Sequence, residues 1–415
     1  MPEKRMMRMK ILHIYDDYGS VLGGGSAPTV VINISKQMVK LGYEVTIIER
    51  KNGEDNRIID GIRFVRVKAR KRIPCPLIAL NEDRIFGSFR FILDCIEFAV
   101  KVNKYLKKIK DDFAVIHVHF PFATSVLVTM SRKLRKRMIY TAHIGEEGKR
   151  LKLSSDTPLP LKIFSPDLYL MRRVRRVVVL NESLRAKLIK KGINEEKIVV
   201  IPNGVEANNF GNFSESIVNK IKEKYGMKGK ITVMFAGSIT PRKGVDYLIR
   251  AAEMIIQDGY ANVLFLLVGS QEYDKEFASR VARYVKNKSL DKNIKFAGFV
   301  PYDDLKVLYQ ACDVFVLPSF EEGHGIVLTE AMASGKPLIG SNVGGIPAQI
   351  RDGWNGFLIE PGNEKQLAEK IKCLIENEEE REKMGKNSRK LAEDEFDWSK
   401  ITEKYIKVYE DILEG

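Results

Sequence analysis

Short apolar runs rich in β-branched residues alternate with longer amphipathic stretches from one end of the chain to the other. A short apolar run suits a strand covered on both faces, and an apolar repeat near 3.6 residues suits a helix lying on a sheet. The pattern predicts strands over Lys10–Tyr15, Glu44–Glu49, Ile62–Val67, Val115–His119, Met138–His143, Arg176–Leu180 and Ile198–Ile201. Helices are expected over Pro28–Leu41, Ile85–Ile109 and Ser183–Lys191. The turn-rich stretch Asn203–Phe210 then breaks the rhythm and is expected to link two domains. The alternation restarts with strands over Ile231–Ala236, Val263–Val268, Ile294–Ala297, Val314–Leu317, Pro337–Ser341 and Gly356–Ile359. Its helices are expected over Gly244–Gln257, Lys275–Lys288, Asp304–Ala311, Ile326–Ser334 and Glu364–Glu376. A last helix, near Trp398–Leu413, carries Ile401, Tyr405, Val408 and Ile412 at helical spacing.

Strands alternating with helices imply parallel sheets covered on both faces. The expected fold is α/β: two doubly wound Rossmann-like domains, 1–203 and 204–395, facing a central cleft, with 396–415 packing back toward the first domain. A hydrophobic content of 44% over 415 residues supplies two cores and excludes disorder. No window approaches the ~18 apolar residues of a membrane span, and the apolar start Ile11–Ile14 runs into Asp16, so neither a span nor a signal peptide is read. Cys75, Cys95, Cys312 and Cys373 lie far apart, which argues against a disulfide framework or a zinc site and for a reducing cytoplasm.

Charge changes the picture. Residues 1–210 hold 40 Lys and Arg against 22 Asp and Glu, whereas 211–415 hold 29 against 32. The basic half reads either as a face for anionic lipid or phosphorylated ligands or as a solvated surface. Nucleic acid is not expected, because aromatics do not interleave the cations and no nucleic-acid motif is present.

Doubly wound sheets bind ligands beyond the carboxyl ends of their strands. There, Ser319–Pro337 places Glu322 and Glu330 eight residues apart around Gly323-His324-Gly325, at the start of an expected helix. The free N–H groups near Ile326 and Val327 suit an anion, and two carboxylates suit hydroxyl pairs. A sugar nucleotide fits: one glutamate for the sugar ring, one for the ribose, and the helix end for the diphosphate. The alternative is a solvated glutamate beside an ordinary cap. In Gly237-Ser-Ile-Thr-Pro-Arg-Lys-Gly244, Arg242 and Lys243 follow a strand and suit a pyrophosphate without a metal ion. Gly23-Gly24-Gly25-Ser26 occupies the usual place of a phosphate-facing loop, but Pro28 breaks the dinucleotide fingerprint and disfavours a nicotinamide dehydrogenase. His143, in Tyr-Thr-Ala-His-Ile-Gly, is aimed at the cleft, where an imidazole could bond a sugar hydroxyl. His117 and His119 share a strand face with no third ligand evident, so a packed pair is favoured over a metal.

These motifs, in order with Val268-Gly269, Phe296-Ala-Gly-Phe-Val300, Asp313-Val-Phe-Val-Leu-Pro-Ser319, Val343-Gly-Gly-Ile-Pro347 and Asn355-Gly356, resemble the retaining GT-B glycosyltransferases of family 4 over nearly the whole chain. The resemblance implies that Arg242 and Lys243 bind the donor diphosphate, Glu322 the donor hexose, Glu330 the ribose, and the backbone near Phe299 and Val300 the base. Gly24 and Gly25, with His143, would line the donor and acceptor side, and Gly237, Gly323, His324, Gly325, Ile326 and Val327 would complete the donor site. It implies a hexosyltransferase that uses a nucleotide-diphosphate sugar as co-substrate, a sugar or lipid-linked acceptor, and neither metal nor other cofactor. His324 stands where an aromatic or aliphatic residue is commoner, and Ala348 where glutamate is frequent. Retaining chemistry fits the lack of a further carboxylate placed as nucleophile. Two other readings stay open: a GT-B sugar-nucleotide 2-epimerase, needing no acceptor, and a basic non-enzymatic scaffold binding membrane or nucleic acid. The clusters Ser131–Met138 and Arg172–Arg176 set cations beside apolar residues, as in a cytoplasmic enzyme peripheral at the inner face of an anionic membrane.

Overall fold

The structure, a computed structural model, describes residues 9–16, 26–50, 57–67, 84–109, 112–143 and 166–414. The chain divides into two compact units, Met1–Pro202 with Ile401–Gly415, and Asn203–Lys400.

The first unit is built on an eight-stranded sheet of β1 (Lys10–Tyr15), β2 (Glu44–Arg50), β3 (Arg57–Ile59), β4 (Ile62–Val67), β5 (Val115–Val118), β6 (Met138–Ala142), β7 (Arg176–Val179) and β8 (Ile198–Val200). The order is β3-β4-β2-β1-β5-β6-β7-β8, parallel except for β3. The most apolar strands are central, with every residue of β1 after Lys10 buried, because a strand hydrogen-bonded on both edges and covered on both faces meets no water. Strand β3 escapes the apolar pattern since it is a three-residue, largely exposed edge. It turns into β4 through Asp60 and Gly61, both at positive φ, the Asp-Gly pair that closes a tight hairpin. Strands β5 and β6 end at Val118 and Ala142, so His119 and His143 lie just beyond them and not inside strands as the pattern predicts. From Ile401 on, the helix Trp398–Glu414 groups with this unit. Tyr405 and Tyr409 are buried there, and the Tyr409 hydroxyl lies 2.7 Å from His117 Nδ1.

The second unit carries β9 (Ile231–Ala236), β10 (Val263–Val268), β11 (Ile294–Gly298), β12 (Val314–Leu317), β13 (Leu338–Ser341) and β14 (Gly356–Ile359), all parallel in the order β11-β10-β9-β12-β13-β14. All six residues of β10, Val-Leu-Phe-Leu-Leu-Val, are buried, at about 1.5–3 kcal/mol of stabilisation for each large apolar side chain. Asn203–Phe210 is more than a tether. Val205, Ala207 and Phe210 are buried in this unit's core, Val205 N–H donates to Phe396 O at 2.8 Å, and Arg389 donates to the carbonyls of Ala207 and Phe210. Among the described residues, no helix is long and apolar enough to cross a membrane.

Candidate active site

In the second unit three neighbouring strands end in glycine: Gly237 after β9, Gly269 after β10 and Gly298 at the end of β11, all at positive φ. A Cβ on Gly269 would stand 1.8 Å from Gly237 O. Only bare backbone at Gly269 allows its turn to nest on that of Gly237.

The turn after Gly237 carries the basic pair. Its one-turn helix Pro241–Lys243 ends on Gly244, where φ is +67° and a Cβ would meet Pro318 O at 2.0 Å. The turn is therefore pressed against the segment after β12. Phe320 N–H donates to Arg242 O, and Arg242 Nη1 donates to Glu321 O, both at 2.9 Å. Lys243 Nζ lies 2.5 Å from Glu322 Oε2, with side chains only 12% and 11% exposed. Charge-assisted contacts of this length are the strong class of hydrogen bond.

A second layer of glycines holds the Glu322 loop. Gly344, at φ +55°, comes so close to Glu322 that a Cβ would lie 1.9 Å from its carbonyl oxygen, and Gly345 N–H donates to that oxygen at 3.0 Å. The loop then enters the helix Ile326–Ala333 through Gly325, whose N–H donates to Gln349 Oε1 at 3.1 Å and whose carbonyl accepts from Gln349 Nε2 at 2.8 Å. Gln349 is a support without a signal of its own in the sequence, marked only by its place two residues after Val343-Gly-Gly-Ile-Pro347.

The two glutamates sit in different surroundings. Glu330 is buried, accepting from the Tyr302 hydroxyl at 3.0 Å and the Tyr309 hydroxyl at 2.7 Å. Burial pushes its carboxyl up to about 7, although both hydroxyls favour the charged form. Nothing in the spacing of Glu322 and Glu330 foretells this split, since Tyr302 and Tyr309 arrive on a separate helix, Tyr302–Ala311.

The other expected site residues fall as follows. The His324 ring is buried against Phe396, 3.4 Å from Gln349 Nε2, and burial holds its pKa down at about 3. Val300 is buried, while Phe299 is 81% exposed. Gly24 and Gly25 lie outside the described residues. His143, in the first unit, bonds through Nε2 to His119 Nδ1 at 2.9 Å. His117 and His119 do have a third histidine beside them, contrary to the expectation: His13 Nδ1 of β1 is 2.9 Å from His119 Nε2. A register that pairs His13 with His117 across adjacent strands brings them together.

Two family profiles match this chain, Glycosyltransferase Family 4 over residues 23–209 and Glycosyl transferases group 1 over 218–391. The mannosylfructose-phosphate synthase of Agrobacterium fabrum is 23% identical over 93% of this chain and 86% of its own length. Spore coat protein SA of Bacillus subtilis is 36% identical over 46% of this chain and 52% of its own. Among solved structures, sucrose-phosphate synthase from Thermosynechococcus elongatus superposes with a TM-score of 0.77 at 20% identity, covering 98% of this chain and 100% of that one. Anabaena HepE in complex with UDP-glucose gives 0.72 at 21% identity, covering 97% and 100%. These likenesses give the fold as GT-B.

Proposed function

This chain belongs to the GT-B glycosyltransferases of family 4, and from that premise we propose that it moves a hexose from a nucleotide-diphosphate sugar to a sugar or lipid-linked acceptor, with retained anomeric configuration and without a metal ion. The observation that carries this reading is the Lys243–Glu322 pair, held at the end of β12 by the Gly244 and Gly344 contacts. Arg242 and Lys243 take the diphosphate, with the N–H groups at Ile326 and Val327 adding positive potential. Glu322 binds hexose hydroxyls, and Glu330 takes the ribose in place of the Tyr302 hydroxyl. The backbone at Phe299 and Val300 meets the base, and HepE, whose crystals hold UDP-glucose, is a precedent for that class of donor. Neither glutamate is free to act as a nucleophile, because one is ion-paired and the other is covered by two tyrosines. Transfer then runs on one face of the sugar. The anomeric carbon–oxygen bond to the diphosphate breaks, the acceptor oxygen bonds that carbon, and its proton passes to the departing phosphate oxygen.

A panel of nucleotide hexoses, tried with and without acceptors, tests this. Nucleoside diphosphate should form in step with a glycoside that keeps the donor's anomeric configuration, at a rate unchanged by EDTA. An inverted product or loss of activity in EDTA would refute the corresponding part. Membership of this family disfavours the 2-epimerase and scaffold readings.

Membrane contact is a second, compatible reading. The helix Arg84–Lys108 exposes Ile92, Leu93, Ile96 and Val100 on one face, with Lys104 and Lys107 exposed further along it. The short helix Arg132–Arg137, packed on the helix Phe122–Met130 that itself packs on Arg84–Lys108, adds five cations. Such a surface complements anionic headgroups. Flotation should favour vesicles containing phosphatidylglycerol over neutral ones, and equal recovery would remove the reading.

A further inference from the structure

The two tyrosines that cover Glu330 stand on one helix, Tyr302–Ala311, two turns apart and so on the same face. They are held in different ways. Tyr309 is 0% exposed, and its ring packs against Phe210 and Phe315, with centroids 6.0 and 5.5 Å away, inside the core of the second unit. Tyr302 is the first residue of the helix, four positions after β11 ends at Gly298, and it is 54% exposed. Beyond its hydroxyl bond, its ring meets Phe210 edge-on, centroids 6.5 Å apart, and Lys306 Nζ at 5.5 Å. The hydroxyl bond to Glu330 is therefore the main tie on an otherwise half-solvated side chain.

Glu330 is 7% exposed, and each of its carboxylate oxygens already accepts from one of these hydroxyls. A ligand hydroxyl that bonds this carboxylate must displace a group that covers it. The helix runs inward from the carboxyl edge of a parallel sheet, the edge at which ligands of doubly wound folds arrive. A ligand thus meets Tyr302 before Tyr309, and Tyr302 is the one that swings into solvent without opening the core. We infer that the Tyr302 hydroxyl is a built-in stand-in for a ribose hydroxyl, a competing occupant that donor binding expels, whereas Tyr309 is a positioning residue that stays on Glu330 Oε2 and keeps the carboxylate turned to the ligand. In the empty site the stand-in spares the protein a buried carboxylate with an unmet acceptor, which is costly. In return the donor trades one O–H···O bond for another at this position and gains less than a fresh hydrogen bond would give. That the incoming hydroxyl belongs to a ribose rests on the function proposed above.

Calorimetric titration of the full chain with UDP, GDP and ADP tests this through opposite signs for two tyrosines on one carboxylate. Tyr302→Phe should bind the accepted nucleotide about tenfold more tightly than wild type, the scale of one hydrogen bond to a charged group that no longer has to be given up. Tyr309→Phe should bind it several-fold more weakly, because the carboxylate loses the donor that orients it. A second measurement needs no variant: nitration of the wild type by tetranitromethane, read residue by residue by peptide mass spectrometry. Burial and the neighbouring Glu330 hold the Tyr302 phenol proton on more firmly than in free tyrosine, so Tyr302 should react slowly in the free protein and faster when the nucleotide is bound, with Tyr309 protected throughout. Weaker or unchanged binding in Y302F, or protection of Tyr302 by the nucleotide, would overturn the inference and leave the donor reading standing. Binding of none of the three nucleotides would overturn both. Should the variants fail to fold, the wild-type nitration pattern still decides it.

Discussion

The two sheets furnish their carboxyl ends in opposite ways. Beyond the strands of the second unit lie charges and naked backbone: Arg242, Lys243 and Glu322 on turns that pack through Gly244 and Gly344. At those of the first unit lie the imidazoles of His119 and His143, bonded to each other, and a cation already committed, Arg50, which is buried between Asp16 and Asp94. One end sets a basic pair beside a single carboxylate, while the other sets its arginine between two carboxylates and its imidazoles against one another. A single architecture thus offers two kinds of chemistry according to which side chains its strand ends carry.

The largest expected effect separates the units by pH. Burial holds His13, His117 and His119 well below the ordinary 6.5. Below about 6.5 the unfolded chain binds protons that the folded first unit refuses, so stability falls with falling pH by about 1.4 kcal/mol per histidine per pH unit. Hydrogen exchange at about pH 5 should show the first unit opening well before the second; equal loss in both units would break the contrast. Next, Lys243→Ala should lower kcat on the order of 10³-fold, the scale of an electrostatic group acting on the departing charge, and near-normal turnover would remove Lys243 from that role.

Glu330 sharpens the comparison from inside the second unit, for it is a buried acid beside a charged site. Its folded pKa of about 7 lies above the ordinary 4.5, so the folded state holds a proton that the unfolded chain has released. Stability is lost as pH rises between those values and the loss is complete above about 7. His324, held at about 3, pulls the other way as pH falls, so a variant is needed to isolate the carboxyl. Glu330→Gln should gain on the order of 3 kcal/mol over wild type at about pH 8 and nothing at about pH 4, read from urea midpoints; a gain independent of pH would contradict it. Smallest is Tyr409→Phe, which removes one neutral hydrogen bond to His117 and should cost about 1 kcal/mol, insensitive to salt because neither partner is charged.

Much of this was legible in the amino acids. The six strands of the second unit match their apolar runs to within a residue, because a parallel strand covered on both faces must be apolar throughout. Arg242, Lys243 and Glu322 were readable because each follows a strand within a few residues, in reach of local reasoning. The helix Phe122–Met130 leaves no mark in the pattern, since Phe-Ala-Thr-Ser-Val-Leu-Val-Thr-Met has no polar face to show its period. The helix Glu378–Leu391 leaves none for the opposite reason, being charged on most of its surface. The Asp60-Gly61 hairpin carried a usable signal that the short strand beside it obscured.

The sequence by itself determined where strands and helices lie, which loops follow which strands, and the family to which those loops point, because burial period and turn chemistry act over a few neighbouring residues. Only the tertiary structure decided that Glu330 is a raised, tyrosine-covered acid while Glu322 is an ion pair, and that four histidines form one cluster. Protonation depends on the groups that folding brings within about 4–6 Å. Here those groups come from far along the chain, 106 positions between His13 and His119 and 292 between His117 and Tyr409.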